Sequence, residues 1–413
     1  MGFADRHQVE EWVAGKAEGG VIVEIGCGYG NGMLAMRRGN AAITLYGIDP
    51  YEPYSDRLGG QYGPETLKEF VINTAGTGVI HIQQPALEAV RDWSEPVAML
   101  WIDVSMAYDD LKPIFDAWQD KVIPGGWLCI AGLSYEQLGT ARVAMEAVAS
   151  GAYDYALHEQ DLVAVLKKKV KPVRRACFYV VSQDYVDQAV YSAASVKARM
   201  GLKTYLFTPD DIGTYTAIDH VVQLPARKHD QWYLDSVEYM NFVVDYLGDY
   251  DELLYLDCDT YIAYPCGEMF CLLEHYDMAL GHACGRDVTL SAYKVPPSFT
   301  TLGVGVNLFR NNDRIKKLFA DWQTRYHAEP EEYGPSDEGP LRDLLFVNEH
   351  DVRVAVLPPE YHCRFGFGVW LFGWARILHG KDPRPLAEVA AELNSQTSMR
   401  LWRYGMLWYH HVE

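Results

Sequence analysis

A run of basic residues, Lys167-Lys168-Lys169-Val170-Lys171-Pro172-Val173-Arg174-Arg175, interrupts a chain of 413 residues whose formal net charge is −20. On both sides of it, short apolar segments of strand type alternate with helix-length segments, and after it the alternation starts afresh. Strands that alternate with helices build parallel sheets with crossover helices. Like charges beside a proline stay solvated and extended. The chain therefore reads as two successive α/β domains, residues 1–168 and 176–385, with a linker over 169–175 and a helical tail over 386–413. The two halves share this rhythm and no sequence repeat.

Composition narrows the class. Hydrophobic residues make up 49% and charged residues 22%, as in a folded globular protein. The acidic balance argues against nucleic acid or an anionic membrane surface as the main partner. No apolar run approaches the ~20 residues that a membrane span needs, so none is expected. Met1 to Gly20 is too polar and charged for a signal peptide. The eight cysteines form no Cys-x-x-Cys pair, and several lie in apolar runs where a thiol packs as a small hydrophobe. This predicts reduced cysteines, a cytoplasmic setting and no zinc site. The 28 Tyr and 11 Trp suit carbohydrate-stacking surfaces and large cores equally well.

In the first half, Val21-Ile22-Val23-Glu24-Ile25 is a buried strand that runs into Gly26-Cys27-Gly28-Tyr29-Gly30 and then a helix from Met33. Glycines at alternate positions let the backbone turn sharply and approach a ligand at a helix N-terminus. The next strand ends at Asp49, about 20 residues on, where a carboxylate can accept hydrogen bonds from ribose hydroxyls. Further strands are expected at Val79–Ile82, at Val97–Ile102 ending in Asp103, and at Gly126–Ile130, with a closing antiparallel pair near 154–166.

These pieces, with Ile123-Pro124-Gly125-Gly126-Trp127, resemble class I S-adenosylmethionine-dependent methyltransferases over roughly residues 15–168. The resemblance implies a Rossmann-like domain in which Gly26, Gly28 and Gly30 wrap the cofactor. Glu24 would sit near its amino group and Asp49 on its ribose. A NAD-binding domain is the competing reading, but Glu-x-Gly-x-Gly-x-Gly is not Gly-x-Gly-x-x-Gly. Trp101 to Asp110 further resembles a branch of sugar and small-molecule O-methyltransferases. That branch usually carries an Asp and a His for metal binding and catalysis where Ser105 and Met106 stand here. Ala131-Gly132 replaces a further Asp, so the branch's metal site is not carried over. Asp103 remains the catalytic candidate, with Tyr108 and Asp109 near the acceptor. Two readings follow: methyl transfer without metal, or a domain that serves as scaffold or regulator.

In the second half, Leu253-Leu254-Tyr255-Leu256 is a buried strand that ends in Asp257-Cys258-Asp259. Alternation along an extended chain turns both carboxylates the same way, where they repel unless a cation lies between them. Mn²⁺ or Mg²⁺ takes oxygen ligands and shares them with a diphosphate. Two solvated turn carboxylates are the bland alternative. Downstream lie the glycine-broken strand Thr301–Arg310, the acidic pair Asp337-Glu338 before a helix, and a strand ending in His379-Gly380-Lys381.

In this order the four features resemble glycosyltransferases of the GT-A fold, most closely the glycogenin-like family 8 type, over roughly 173–385. The resemblance implies a metal held by Asp257, Asp259 and His379, with Lys381 assisting the departing diphosphate of a nucleotide sugar. Asp337, backed by Glu338, is the candidate base for an inverting reaction; the resemblance favours retention. Gly303-Val304 stands where the family has Asn-Ser, and Glu338 where it has Gln. The cations at Arg227-Lys228-His229 are placed to meet a donor or to serve as surface charge. The aromatic end Met399–Tyr409 is expected to dock on its own chain or on a sister subunit, which would make a homo-oligomer. The whole chain thus reads as a bifunctional transferase acting on a nucleotide sugar and a carbohydrate or glycosylated small-molecule acceptor.

Overall fold

The computed structural model describes residues 3, 5–55, 61–104, 107–132, 138–159, 163–283, 295–296, 298–334, 336–403 and 406–409. The chain forms two compact units, Met1–Pro172 and Val173–Glu413, divided inside the basic run. Among the described residues no helix is long and apolar enough to cross a membrane, and the described cysteines are all free thiols.

The first unit is built on seven strands: β1 (Val21–Ile25), β2 (Leu45–Ile48), β3 (Val79–Ile82), β4 (Val97–Ile102), β5 (Val122–Ala131), β6 (Tyr153–Glu159) and β7 (Val163–Lys168). They lie in the order β3-β2-β1-β4-β5-β7-β6. The first five are parallel, in the order of a doubly wound sheet. β7 inserts antiparallel between β5 and β6. β1 and β4 are buried at every residue, as central parallel strands covered on both faces must be. Helices α1 (Arg6–Ala14), α2 (Asn31–Gly39), α3 (Pro64–Asn73), α4 (Tyr108–Trp118) and α5 (Leu138–Ala149) accompany the sheet. The Asp5 side chain accepts from the Gln8 N–H at 3.0 Å and caps α1. Val9 and Val13 of α1 join Met33 and Met36 of α2 in one core.

The second unit centres on a mixed seven-stranded sheet. In chain order its strands are β8 (Arg175–Val180), β9 (Lys203–Thr208), β10 (His220–Gln223), β11 (Glu252–Leu256), then, after the short β12 (Thr260–Ile262), β13 (Met278–His282), β14 (Leu302–Arg310) and β15 (Val354–Leu357). Their spatial order is β10-β9-β8-β11-β14-β13-β15. The helices are α6 (Val186–Met200), α7 (Trp232–Tyr246), α8 (Asp313–Ala328) and α9 (Glu338–Val347). Alternation sorts the sheet residues. Phe178, Leu253, Leu280 and Phe309 pack with Val237, Met240, Phe319 and Trp322. The intervening Tyr179 turns the other way, its hydroxyl 3.0 Å from Ser192 Oγ of α6. Arg175, expected in the linker, opens β8 instead and pairs with Glu252 of β11 at 2.7 Å. Opposite charges facing each other on paired strands stabilise it there.

The tail differs from expectation. It is helical over Leu386–Leu393 (α10), but Arg400–Arg403 and Met406–Tyr409 form an antiparallel pair. The first of these joins Val369–Leu371 in a three-stranded sheet. Arg400 and Trp402 are buried while Leu401 between them is partly exposed, which is the two-residue period of a strand. Arg400 Nε donates to the Leu393 carbonyl at 2.7 Å, tying the strand to the end of α10.

Candidate functional sites

In the second unit β8 is flanked by β9 on one side and β11 on the other. The chain order reverses there, and a crevice outside the carboxyl ends of strands at such a point is where open sheets bind ligands. Asp257 follows β11 directly. Its N–H donates to the Gly305 carbonyl at 2.9 Å, and its own carbonyl accepts from the Thr260 N–H at 3.2 Å and Oγ1 at 2.8 Å. His379 arrives through the antiparallel pairing of β12 with a short strand, Ile377–His379, in which it stands opposite Thr260. Its Nε2 lies 3.3 Å from Asp257 Oδ2 and 3.3 Å from Asp259 Oδ1. A ligand-type atom from each of Asp257, Asp259 and His379 lies within 4.8 Å of the others. Tyr255 OH donates to Asp257 Oδ1 at 2.8 Å. Burial alone would raise the Asp257 carboxyl, but His379 and Tyr255 bring it down to about 2. Burial works downward on His379, and the two carboxylates reverse it, to about 9.

Two residues with no obvious sequence signal complete the setting. His362 is 2% exposed, and its Nε2 lies 2.7 Å from His379 Nδ1 with the rings stacked. Burial, then the neighbouring His379, holds His362 well below the ordinary imidazole range, so it is the neutral member. A neutral His362 accepts the His379 Nδ1 proton at Nε2 and fixes which nitrogen of His379 faces the carboxylates. Three glycines make room for the pair. A methyl group at Gly281 or Gly303 would overlap the His362 ring, and one at Gly305 would overlap both His379 and Asp257. The departure at Gly303 thus has a steric cause.

Asn307 of β14 is the second. It stands opposite Tyr255 in the sheet and is 0% exposed. Among the described residues neither Oδ1 nor Nδ2 has a hydrogen-bond partner. It lines a small cleft with Ser236, Tyr255, Trp322 and Asp337. A fully buried amide with both ends open is costly unless water or a ligand engages it.

The other expected residues fall differently. Asp337 is partly exposed and borders the cleft. Glu338 turns inward, 4% exposed, with Arg364 Nη1 at 3.4 Å. Lys381 places Nζ 4.8 Å from the centre of the Tyr185 ring. Arg227 is engaged by Asp235 at 3.3 Å, and Lys228 pairs with Glu238.

In the first unit β1 leads through Gly26, Gly28 and Gly30, with φ of 81°, 46° and 82°, into α2. A side chain on Gly26 would also strike the Asp103 carbonyl at the end of β4. The loop is braced by its neighbours. The Gly28 N–H donates to Asp49 Oδ2 at 3.1 Å, and the Tyr51 N–H donates to Asp49 Oδ1 at 2.9 Å. Tyr51 OH donates to the Gly28 carbonyl at 2.9 Å. Arg6 of α1, which no motif singled out, places Nη1 2.6 Å from Asp103 and Nε 3.3 Å from Glu10. Glu24 is 1% exposed, and its Oε2 has no partner among the described residues. Burial first, then Glu10, pushes its carboxyl well above the ordinary range. Tyr108 OH donates to Glu146 at 2.9 Å. Asp109 lies in the first turn of α4. Ser105 and Met106 lie outside the described residues, as does Cys284.

A crystal structure of a protein from Corynebacterium glutamicum is similar at 20% identity, with a TM-score of 0.32, covering 40% of this chain and 81% of that one. No curated protein matches the chain. A family model described as a methyltransferase domain matches residues 23–130, from within β1 to the penultimate residue of β5. The N-terminal region therefore contains a methyltransferase domain, which implies use of S-adenosylmethionine.

Proposed function

We propose that the second unit transfers a glycosyl group from a nucleotide-diphosphate sugar to a carbohydrate or glycosylated small molecule. The first unit, in this reading, methylates an oxygen of a sugar or related small molecule. The observation that carries the glycosyl-transfer reading is the meeting of Asp257, Asp259 and His379 within 4.8 Å at the sheet's switch point. Two carboxylate oxygens and one imidazole nitrogen suit Mn²⁺ or Mg²⁺ with positions left for phosphate oxygens and water. When bound there, the cation supplies Lewis-acid neutralisation of the leaving diphosphate.

The chain's own residues do the rest. Tyr255 and His362 hold Asp257 and His379 in place. Asn307 offers one acceptor and two donor hydrogens to hydroxyl groups in the cleft. Asp337 takes the acceptor proton if the configuration inverts; if it is retained, the departing phosphate takes that proton and Asp337 orients the acceptor. Lys381 reaches the diphosphate by leaving the Tyr185 ring. Glu338, paired with Arg364, fixes the start of α9. In the first unit Gly26, Gly28 and Gly30 shape the cofactor loop, Asp49 faces the ribose, and Glu24 supports the loop near the amino end of the cofactor.

The test is metal-dependent release of nucleoside diphosphate across a panel of nucleotide sugars. Asp257→Asn with Asp259→Asn is expected to lower it by at least about 10³-fold. Metal-dependent turnover that is unchanged in the double variant refutes the assignment. A second reading, in which the first unit is a scaffold, is favoured by Arg6 closing on Asp103 at 2.6 Å. Calorimetric titration with S-adenosylmethionine and S-adenosylhomocysteine separates the two; no binding by either leaves the scaffold.

A further inference from the structure

A second cluster in the same unit uses none of the residues given a part in the proposed reaction. His229 lies in the connection before α7, Glu238 on α7, and His327 in the last turn of α8. One ligand-type atom from each lies within 4.8 Å of the others, and the two imidazoles are 5.0 Å apart between ring centres. All three are partly exposed, so an ion can reach them from solvent.

Their positions are held by a shell of other contacts. Asp235, 1% exposed, accepts from the backbone N–H of Lys228 at 3.0 Å and of His229 at 3.4 Å, and from Arg227 Nε at 3.3 Å. One buried carboxylate thus fixes the connection that carries His229. His327 Nε2 lies 2.9 Å from the Leu234 carbonyl oxygen. A carbonyl can only accept, so Nε2 carries the proton and Nδ1 is the nitrogen left for another partner. An imidazole oriented by a backbone carbonyl is the usual support of a metal ligand. Beside the cluster, Asn241 Nδ2 donates to Gln323 Oε1 at 2.8 Å and to the Phe319 carbonyl at 3.3 Å, locking α7 to α8. Glu238 is meanwhile paired with the ammonium of Lys228, an exposed side chain.

We propose that His229, Glu238 and His327 bind a divalent ion of zinc type, with Lys228 withdrawing as it enters and water completing four-coordination. Two imidazoles and one carboxylate suit Zn²⁺ or Co²⁺, whereas the oxygen-rich set at Asp257 suits Mn²⁺ or Mg²⁺. The ion staples three segments: the connection, α7 and α8. Since Ser236 lies on α7 and Trp322 on α8, it stiffens two walls of the cleft. None of the described cysteines belongs to the cluster. The proposal shares no ligand with the Asp257 site and stands or falls separately from it.

The test is a titration of the untagged full chain with Co²⁺, read as visible d–d absorption and displaced by Zn²⁺. The chain carries Asp257→Asn and Asp259→Asn so that the other site is silent. One equivalent is expected to bind. His229→Gln and His327→Gln should each weaken binding at least about tenfold. Lys228→Ala should keep the band and tighten it, because the competing ammonium is gone. His229 is outside the helices, so its variant keeps the fold even if His327→Gln does not. Absence of a saturable band in the parent, or a band unchanged in His229→Gln, overturns the proposal.

Discussion

At the carboxyl edge of the first unit's sheet, Asp103 is met by Arg6 and Asp49 by two backbone N–H groups, while Glu24 is buried with Oε2 unpartnered among the described residues. At the same edge of the second unit, Asp257 and Asp259 share one imidazole, and Lys381 lies over an aromatic ring instead. Both units place a turn after a central buried strand. One turn is made of glycines, whose missing side chains let a ligand come close to the backbone. The other is made of carboxylates, which leaves negative charge to be met. In the reading proposed above, the first turn is an uncharged cradle for a cofactor and the second a place for a cation.

The largest effects expected are those of filling the space each turn depends on. Gly26→Ala combines a positive φ with overlap of a backbone carbonyl, and should destabilise the first unit by about 3 kcal/mol or more. Gly305→Ala overlaps side chains only, His379 and Asp257. Those can shift, so about 1–3 kcal/mol is expected, with the loss falling more on metal binding than on folding. Denaturant unfolding and Mn²⁺ titration of both variants check this. If Gly26→Ala were neutral, the glycine turn would be dispensable and the contrast between the units would fail.

Next in size is His362. Its partner His379 needs an acceptor at Nδ1 to present Nε2 to the carboxylates. His362→Phe fills the notch of Gly281 and Gly303 without that acceptor and should weaken Mn²⁺ binding about 10–100-fold. His362→Gln, which can accept, should restore part of it. Equal loss of affinity in both variants would make His362 a packing residue.

The alternation of strands and helices, and the three side chains proposed to hold the donor's metal, could be read locally because they sit at strand ends in recognisable strings. What escaped was set by distant chain. His362 is one histidine between Tyr361 and Cys363, and nothing nearby says that it will stack on His379. Asn307 sits inside an apolar string, and its open amide is visible only once β11 and β13 flank it. Glu338 adjoins Asp337 in the sequence, yet successive residues at a helix start point apart, and Arg364 claims one of them. Arg6 looked like an ordinary helix residue until β4 brought Asp103 to it. The tail's strands were hidden because aromatic residues suit either form until a partner strand is available.

A smaller effect, of about 1–2 kcal/mol, is expected at Glu24. Its folded pKa is raised above its unfolded value by burial and by Glu10. Between the unfolded pKa and the raised one, the folded state holds a proton that the unfolded state has lost. Stability therefore falls as pH rises through that window. Glu24→Gln removes the dependence, so the variant should gain stability over the parent at pH 8 and gain little at pH 4. Urea unfolding at the two values measures it. The equivalent change at Asp257, whose pKa is lowered, should have the opposite sign, with stability lost rather than gained at neutral pH.

The smallest effect separates a ligand from a buried water at Asn307. Asn307→Leu keeps the volume and removes two polar atoms that have no protein partner among the described residues. No protein hydrogen bond is lost, so folding should be unchanged or favoured by up to about 1 kcal/mol. If the amide meets a substrate hydroxyl, KM for one substrate should rise about tenfold, the loss of one hydrogen bond to a neutral group. If it holds only a structural water, the variant should lose stability and keep KM. The two quantities move in opposite directions under the two accounts. Unfolding and steady-state kinetics on the same sample therefore decide whether the open amide belongs to the cleft's function or to its packing.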